Sequence, residues 1–267
     1  IHNMQLANVV KSELYKNFCR KSTYILLIPV LLSFLITLGF RTGTVSLSMI
    51  GNSSKTLSCM DYLFMNWMVL SSLGIIGLLL LLFSALQFSG EIERGQIKFF
   101  LLRSHSRASV LFGKYISTVF VSALSAAIVL ICTVLFYYIM LSNSSQGNGL
   151  FAASAGGLTT CSVLGYIGLS LVTFLLWIAI SFLLGLYFGP FVTFVLSAVF
   201  LYGGNYISTQ DMTVSRLFPS YWGNQVLLGS QSSDYLLPAL GSVLLTVVLT
   251  VIILIFTTWR FNKTDIR

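Results

Sequence analysis

Seven charged residues fall between positions 90 and 114: Glu91, Glu93, Arg94, Lys98, Arg103, Arg107 and Lys114. The whole chain of 267 residues has only 15 basic and 7 acidic side chains. Glu91 and Glu93 form a carboxylate pair, which can serve acid–base chemistry or an ionic contact. Acid–base catalysis would want a partner, and none is near. The two histidines are His2 and His105, and His105 has no acidic neighbour in sequence closer than Glu93. Cys19, Cys59, Cys132 and Cys161 form no CxxC pair, so the spacing of a metal site is missing. Gly113-Lys114 resembles the end of a phosphate-binding loop only superficially. Ala108 stands where the first glycine of GxxxxGK[ST] belongs, and Tyr115 stands in place of the hydroxyl residue. The charged stretch therefore reads as a contact surface, not as a catalytic or nucleotide-binding one.

What must hold such a surface is a membrane domain. The chain is 56% hydrophobic and 8% charged, with a mean hydropathy of +0.91. A soluble domain carries about 25% charged residues. Apolar runs long enough to cross a bilayer are expected at Tyr24–Phe40, Leu63–Phe88, Val110–Leu141, Leu164–Leu186, Phe191–Ile207 and Leu236–Trp259. Residues 160–207 form one nearly uncharged block that must cross twice. Gly185, Gly189 and Pro190 are its only central cluster of helix breakers, so the turn belongs there. The expected fold is an all-α membrane protein, a single transmembrane domain over 1–267 with six transmembrane helices.

Basic residues set the orientation. Lys11, Lys16, Arg20 and Lys21 precede the first span, five more follow the second, and Arg260, Lys263 and Arg267 close the chain. The alternate loops carry only Arg41, Lys55 and Arg216. Both termini and the 90–114 loop are thus expected in the cytoplasm. The same clustering beside spans argues against a nucleic-acid footprint, which would be one basic stripe. Every acidic residue lies at or outside a span boundary. That disfavours an ion-coupled transporter or a charged-ring channel.

Two flanking elements complete the reading. Residues 4–21 place Leu6, Val10, Leu14 and Phe18 on one stripe beside Glu13 and the basic residues. An amphipathic helix lying in the membrane interface is expected. Residues 208–235 form an extracytoplasmic loop in which Phe218, Tyr221 and Trp222 suit the headgroup zone, with short re-entrant helices broken at Pro219 and Gly223. Within 90–107, Ile92, Gln96 and Phe99/Phe100 share one helical face, while Glu93, Arg94 and Lys98 can reach water.

This stretch resembles permease subunits of type-two ABC exporters. Their cytosolic segment after the second span runs Glu-x-Glu-x-Gly-Thr, an apolar stretch, Pro-x-Ser-Arg, then a Gly-Lys pair. Here the chain reads Glu91-Ile92-Glu93-Arg94-Gly95-Gln96, "IKFFLLR", Ser104-His105-Ser106-Arg107 and Gly113-Lys114. Gln96 replaces the usual Thr and Ser104 the usual Pro. "KSELYKNFCRKS" is similar to the family's amphipathic N-terminal helix, "LFPS" at Leu217–Ser220 to a segment before its last span, and "RFNKTDIR" to its basic tail.

The resemblance implies a permease in the cytoplasmic membrane of a prokaryote, exporting a hydrophobic or amphipathic substrate such as a peptide antibiotic, a drug or a lipid-like molecule. A second permease copy or paralogue would complete the pathway, in contact with membrane lipid. Two separate cytosolic ABC ATPase subunits would bind ATP and Mg, with no cofactor in this chain. Residues 90–107 would be the coupling helix, with Glu91, Glu93, Arg94, Gly95, Gln96 and Arg107 at the ATPase contact. The N-terminal helix would add contacts through Leu6, Val10, Glu13, Leu14 and Phe18. The competing expectation is a non-transporting membrane scaffold or sensor that docks a cytosolic partner.

Overall fold

The computed structural model describes residues 2–44, 56–97, 106–144, 146–153, 159–210, 212–228 and 236–263. Among these, helix is the dominant structure and six helices are long and apolar enough to cross a membrane. Helix α1, His2–Cys19, precedes the first span, a 3-10 turn Lys21–Leu27 running into α2, Ile28–Arg41. The second is broken into α3, Cys59–Ser72, and α4, Ile75–Gln87, followed by the short α5, Ser89–Glu93. Helix α6, Arg107–Phe136, ends in a π turn Tyr137–Leu141. Then come α7, Thr160–Gly185; α8, Pro190–Thr209; α9, Pro219–Leu228; and α10, Leu236–Lys263.

The sequence supplies the helix boundaries. Ser58 and Asp61 form a reciprocal capping box that starts α3 several residues before the expected position, and Thr159 and Ser162 do the same for α7. The turn between the fourth and fifth spans lies where the glycines and proline put it: α7 ends at Gly185, and α8 opens with Pro190 in its first turn. One expectation needs correcting. Leu63–Phe88 is not one continuous helix. The chain breaks at Leu73-Gly74, with Gly74 left-handed at φ +68°. The carbonyl of Leu73, which cannot find its helical donor there, accepts from the Tyr202 hydroxyl at 3.1 Å.

Inside the bilayer, helix association rests on packing and polar pairing. One apolar cluster joins Phe83, Phe88, Leu111, Ile178, Phe182 and Phe261, with Phe88 and Phe182 stacked at 4.5 Å. Another joins Met60, Leu63, Trp67, Val129 and Val163. Buried Asn66 donates 2.9 Å bonds to Ser33 of α2 and Thr133 of α6, which pins three spans at one depth. The aromatic residues of the 208–235 loop are also packing elements. Tyr221 is buried, and Phe218 stacks on Trp177 at 6.2 Å. Phe218 and Trp222 are half-exposed, and the Trp222 indole donates to the Arg216 carbonyl at 2.8 Å.

Helix α1 rests against α6 because Gly113 has no side chain. A Cβ there would fall 2.6 Å from Val9 Cγ1. Gly113→Leu is accordingly expected to lift α1 and to cost about 1–3 kcal/mol, the usual penalty of overpacking. Gly168→Leu is the control, since a Cβ at Gly168 meets nothing within 4 Å. Thermal unfolding of the two variants in detergent checks this: only the first should melt early.

Candidate functional site

At the end of the bundle where the basic residues gather, three elements converge: α1, the turn after α4, and the start of α6. Helix α5 is stopped by Gly95, which adopts φ +67° and so lets the chain reverse, a conformation that other residues resist. Within α5, Glu91 is turned inward. Its Oε1 lies 2.8 Å from Lys16 Nζ and 2.6 Å from an Arg20 guanidinium nitrogen, and its Oε2 accepts from Lys114 Nζ. Lys114 also reaches Glu13 at 3.0 Å, and Glu13 holds Lys16 at 2.7 Å. Arg20 extends further, donating 3.1 Å bonds to the side-chain oxygens of Gln87 and Gln96. Asn17 meets Ser117 at 3.4 Å beside the network.

The arrangement alternates charge. Two carboxylates bridge three cations, and the side chains of Glu13, Glu91 and Lys114 are all within 2% of complete burial. Charges removed from water this fully are tolerated only when paired and hydrogen-bonded. Lys16 is partly exposed, and burial, with repulsion from Lys114, holds its ammonium below the usual lysine range against the pull of Glu13 and Glu91. Among the described residues, the ion pairs of the cluster are made by carboxylate, ammonium and guanidinium groups alone. It is a clamp, and what it clamps is the chain segment after the second span.

The residues expected at a partner contact divide into two groups. Glu93 and Arg94 are exposed, and Gly95 and Gln96 half-buried. Glu91 is not available as an outward contact: it is the buried hub of the clamp. Arg107 also turns inward, donating 3.2 Å bonds to the carbonyls of Phe261 and Asn262 at the end of α10. That placement suits a cation at a helix C-terminus. Lys98, Arg103, Ser104 and His105 lie outside the described residues.

On α1 the expected stripe is redistributed. Leu6, Val10 and Leu14 are half-buried, Phe18 is half-exposed, and the face packed on the bundle has Glu13 and Asn17 at its centre. Sequence reasoning missed Lys16, Arg20 and Lys114 as members of a site. The signals present were the i, i+3 pair Glu13–Lys16 and a Lys following the glycine that admits α1.

Other contacts tie the neighbouring turn to the same end. Ser89 donates to the Phe188 carbonyl at 2.6 Å, the Glu93 carboxylate lies beside Gly189, and Arg260 Nε donates to the Tyr187 hydroxyl at 2.8 Å with its guanidinium 5.2 Å from that ring. The surface around Glu93 and Arg94 thus joins α5, the 186–189 turn and the end of α10.

A family model described as "Protein of unknown function (DUF2705)" matches residues 26–267, and the chain belongs to that family. The match includes Glu91 and Lys114 and leaves Glu13, Lys16 and Arg20 outside it. No curated protein matches the chain.

Proposed function

We propose that this DUF2705 protein is the membrane-spanning subunit of an ATP-driven exporter, energised by two separate cytosolic ATPase subunits that bind ATP and Mg and dock beneath the 90–107 segment. The observation that carries this reading is the buried clamp of Glu13, Lys16, Arg20, Glu91 and Lys114. A segment that receives force from another body must be stiff and anchored to the helices that move. An exposed loop without anchorage would absorb a displacement instead of passing it on. Here the turn after the second span is ionically fastened to α1 and to the first turns of α6, so a push on it moves three elements together. Glu93 and Arg94, exposed on its outer side, are the residues left for the docking partner.

The reading places the basic end in the cytoplasm of a prokaryote, with a second copy or paralogue completing the pathway and a hydrophobic or amphipathic substrate as cargo. A photo-cross-linking amino acid at position 93 or 94 in native membranes tests it. The expected adduct is a nucleotide-binding ATPase subunit. Adducts only to proteins without a nucleotide site would overturn the reading and favour the non-transporting scaffold.

A further inference from the structure

Away from the clamp, the break in the second span opens a cavity of about 430 Å³. Its walls come from α3, α4, α7 and α8, and α9 covers it with Ser220 and Asn224. The volume lies within the roughly 300–1,000 Å³ of small-molecule sites. Three features point to a ligand. Asn205 and Asn224, both partly buried on its lining, have amides without a hydrogen-bond partner among the described residues, and the buried Ser71 hydroxyl also has none. Trp177 presents a nearly buried ring, held from behind by Phe218. That ring is also fixed by Gly204, where a Cβ would fall 2.4 Å from it. Among the described residues, no Asp, Glu, Lys, Arg or His lines the cavity.

Amides and hydroxyls around an aromatic ring, without charge, match a headgroup that offers many hydroxyls and one flat apolar face. An ion would be left without a counter-charge at high cost. Met68 at 48% and Tyr206 at 67% exposure stand at the edge of the cavity on span helices, which leaves room for an alkyl tail to extend out between them. We infer that this cavity binds an uncharged amphiphile with a sugar-like, hydroxyl-bearing headgroup. Broken spans commonly line such sites, because irregular backbone at membrane depth is tolerated where it borders a cavity. The inference goes beyond the docking reading and does not rest on it.

The test uses the full chain in phosphatidylglycerol nanodiscs, with no partner and no nucleotide. The probe is dodecyl-β-D-glucoside carrying a diazirine on the first carbons of its tail, and adducts are mapped by peptide mass spectrometry. Saturable labelling of peptides spanning 166–177 and 201–209 is expected. Plain dodecyl-β-D-glucoside should compete and dodecyltrimethylammonium should not. Asn205→Leu and Asn224→Leu, on different helices, should each raise the half-saturating concentration about three- to tenfold, as loss of a hydrogen bond does. Val199→Leu on the outer face of α8, 63% exposed, should not. Labelling that never saturates, equal competition by the cationic amphiphile, or unchanged half-saturation in both Asn variants that still elute as folded protein would overturn the inference.

Discussion

Glu91→Gln is expected to lower the melting temperature by roughly 10 °C, from a loss of about 3–5 kcal/mol. The side chain keeps its shape and one acceptor oxygen but loses its charge. Lys114, which reaches Glu13 at 3.0 Å, would then share that single carboxylate with Lys16, and Arg20 would face them without a counter-ion. The large figure attaches to the Glu91–Lys114 pair, both members of which are buried to within 2%. The arms from Lys16 and Arg20 are 22% and 26% exposed and contribute less, because solvent screens them. Adding Lys114→Met should restore most of the loss, since the double variant removes a charge of each sign. Tryptophan fluorescence during thermal unfolding in detergent measures all three. Unchanged melting in Glu91→Gln, or losses that simply add in the double variant, would show that the clamp is not a coupled unit.

The second large effect concerns function and not stability. Exchanging the two exposed charges, as Glu93→Lys with Arg94→Glu, keeps the net charge and touches no buried contact. Melting should stay within about 0.5 kcal/mol of the parent, as for other surface changes. Docking should suffer far more, because each swapped charge would face a like charge on the partner, a mismatch worth several kcal/mol. The expected result is ATPase activity of the complex reduced to that of the ATPase subunits alone, corresponding to at least about a hundredfold weaker association. Wild-type stimulation in this variant would place the docking surface elsewhere.

Much of the fold is written locally. The apolar runs give the spans, and Gly185 and Pro190 give the turn between the fourth and fifth. The break at Gly74 was not legible, because Ser71-Ser72-Leu73-Gly74 sits in an apolar run and only the Tyr202 hydroxyl, 129 residues away, compensates the freed carbonyl. The clamp was legible only as a list of charges. Glu91 meets Lys16 across 75 residues, and Lys114 meets Glu13 across 101. Positive charge near a span predicts which side a loop occupies. It does not tell which charges turn inward, as Glu13, Glu91, Lys114 and Arg107 do. Part of the reason is geometric: Gly113 admits α1 close enough for Glu13 to reach Lys114.

The central claim is that energy reaches this membrane domain through a docked ATPase. Purifying the chain from native membranes under mild detergent, and identifying what co-purifies, tests it most directly. The expected co-purifying protein is an ATPase subunit with a phosphate-binding loop, present in equal number to the chain. Recovery of the chain alone, or with a stoichiometric partner that binds no nucleotide, would contradict it.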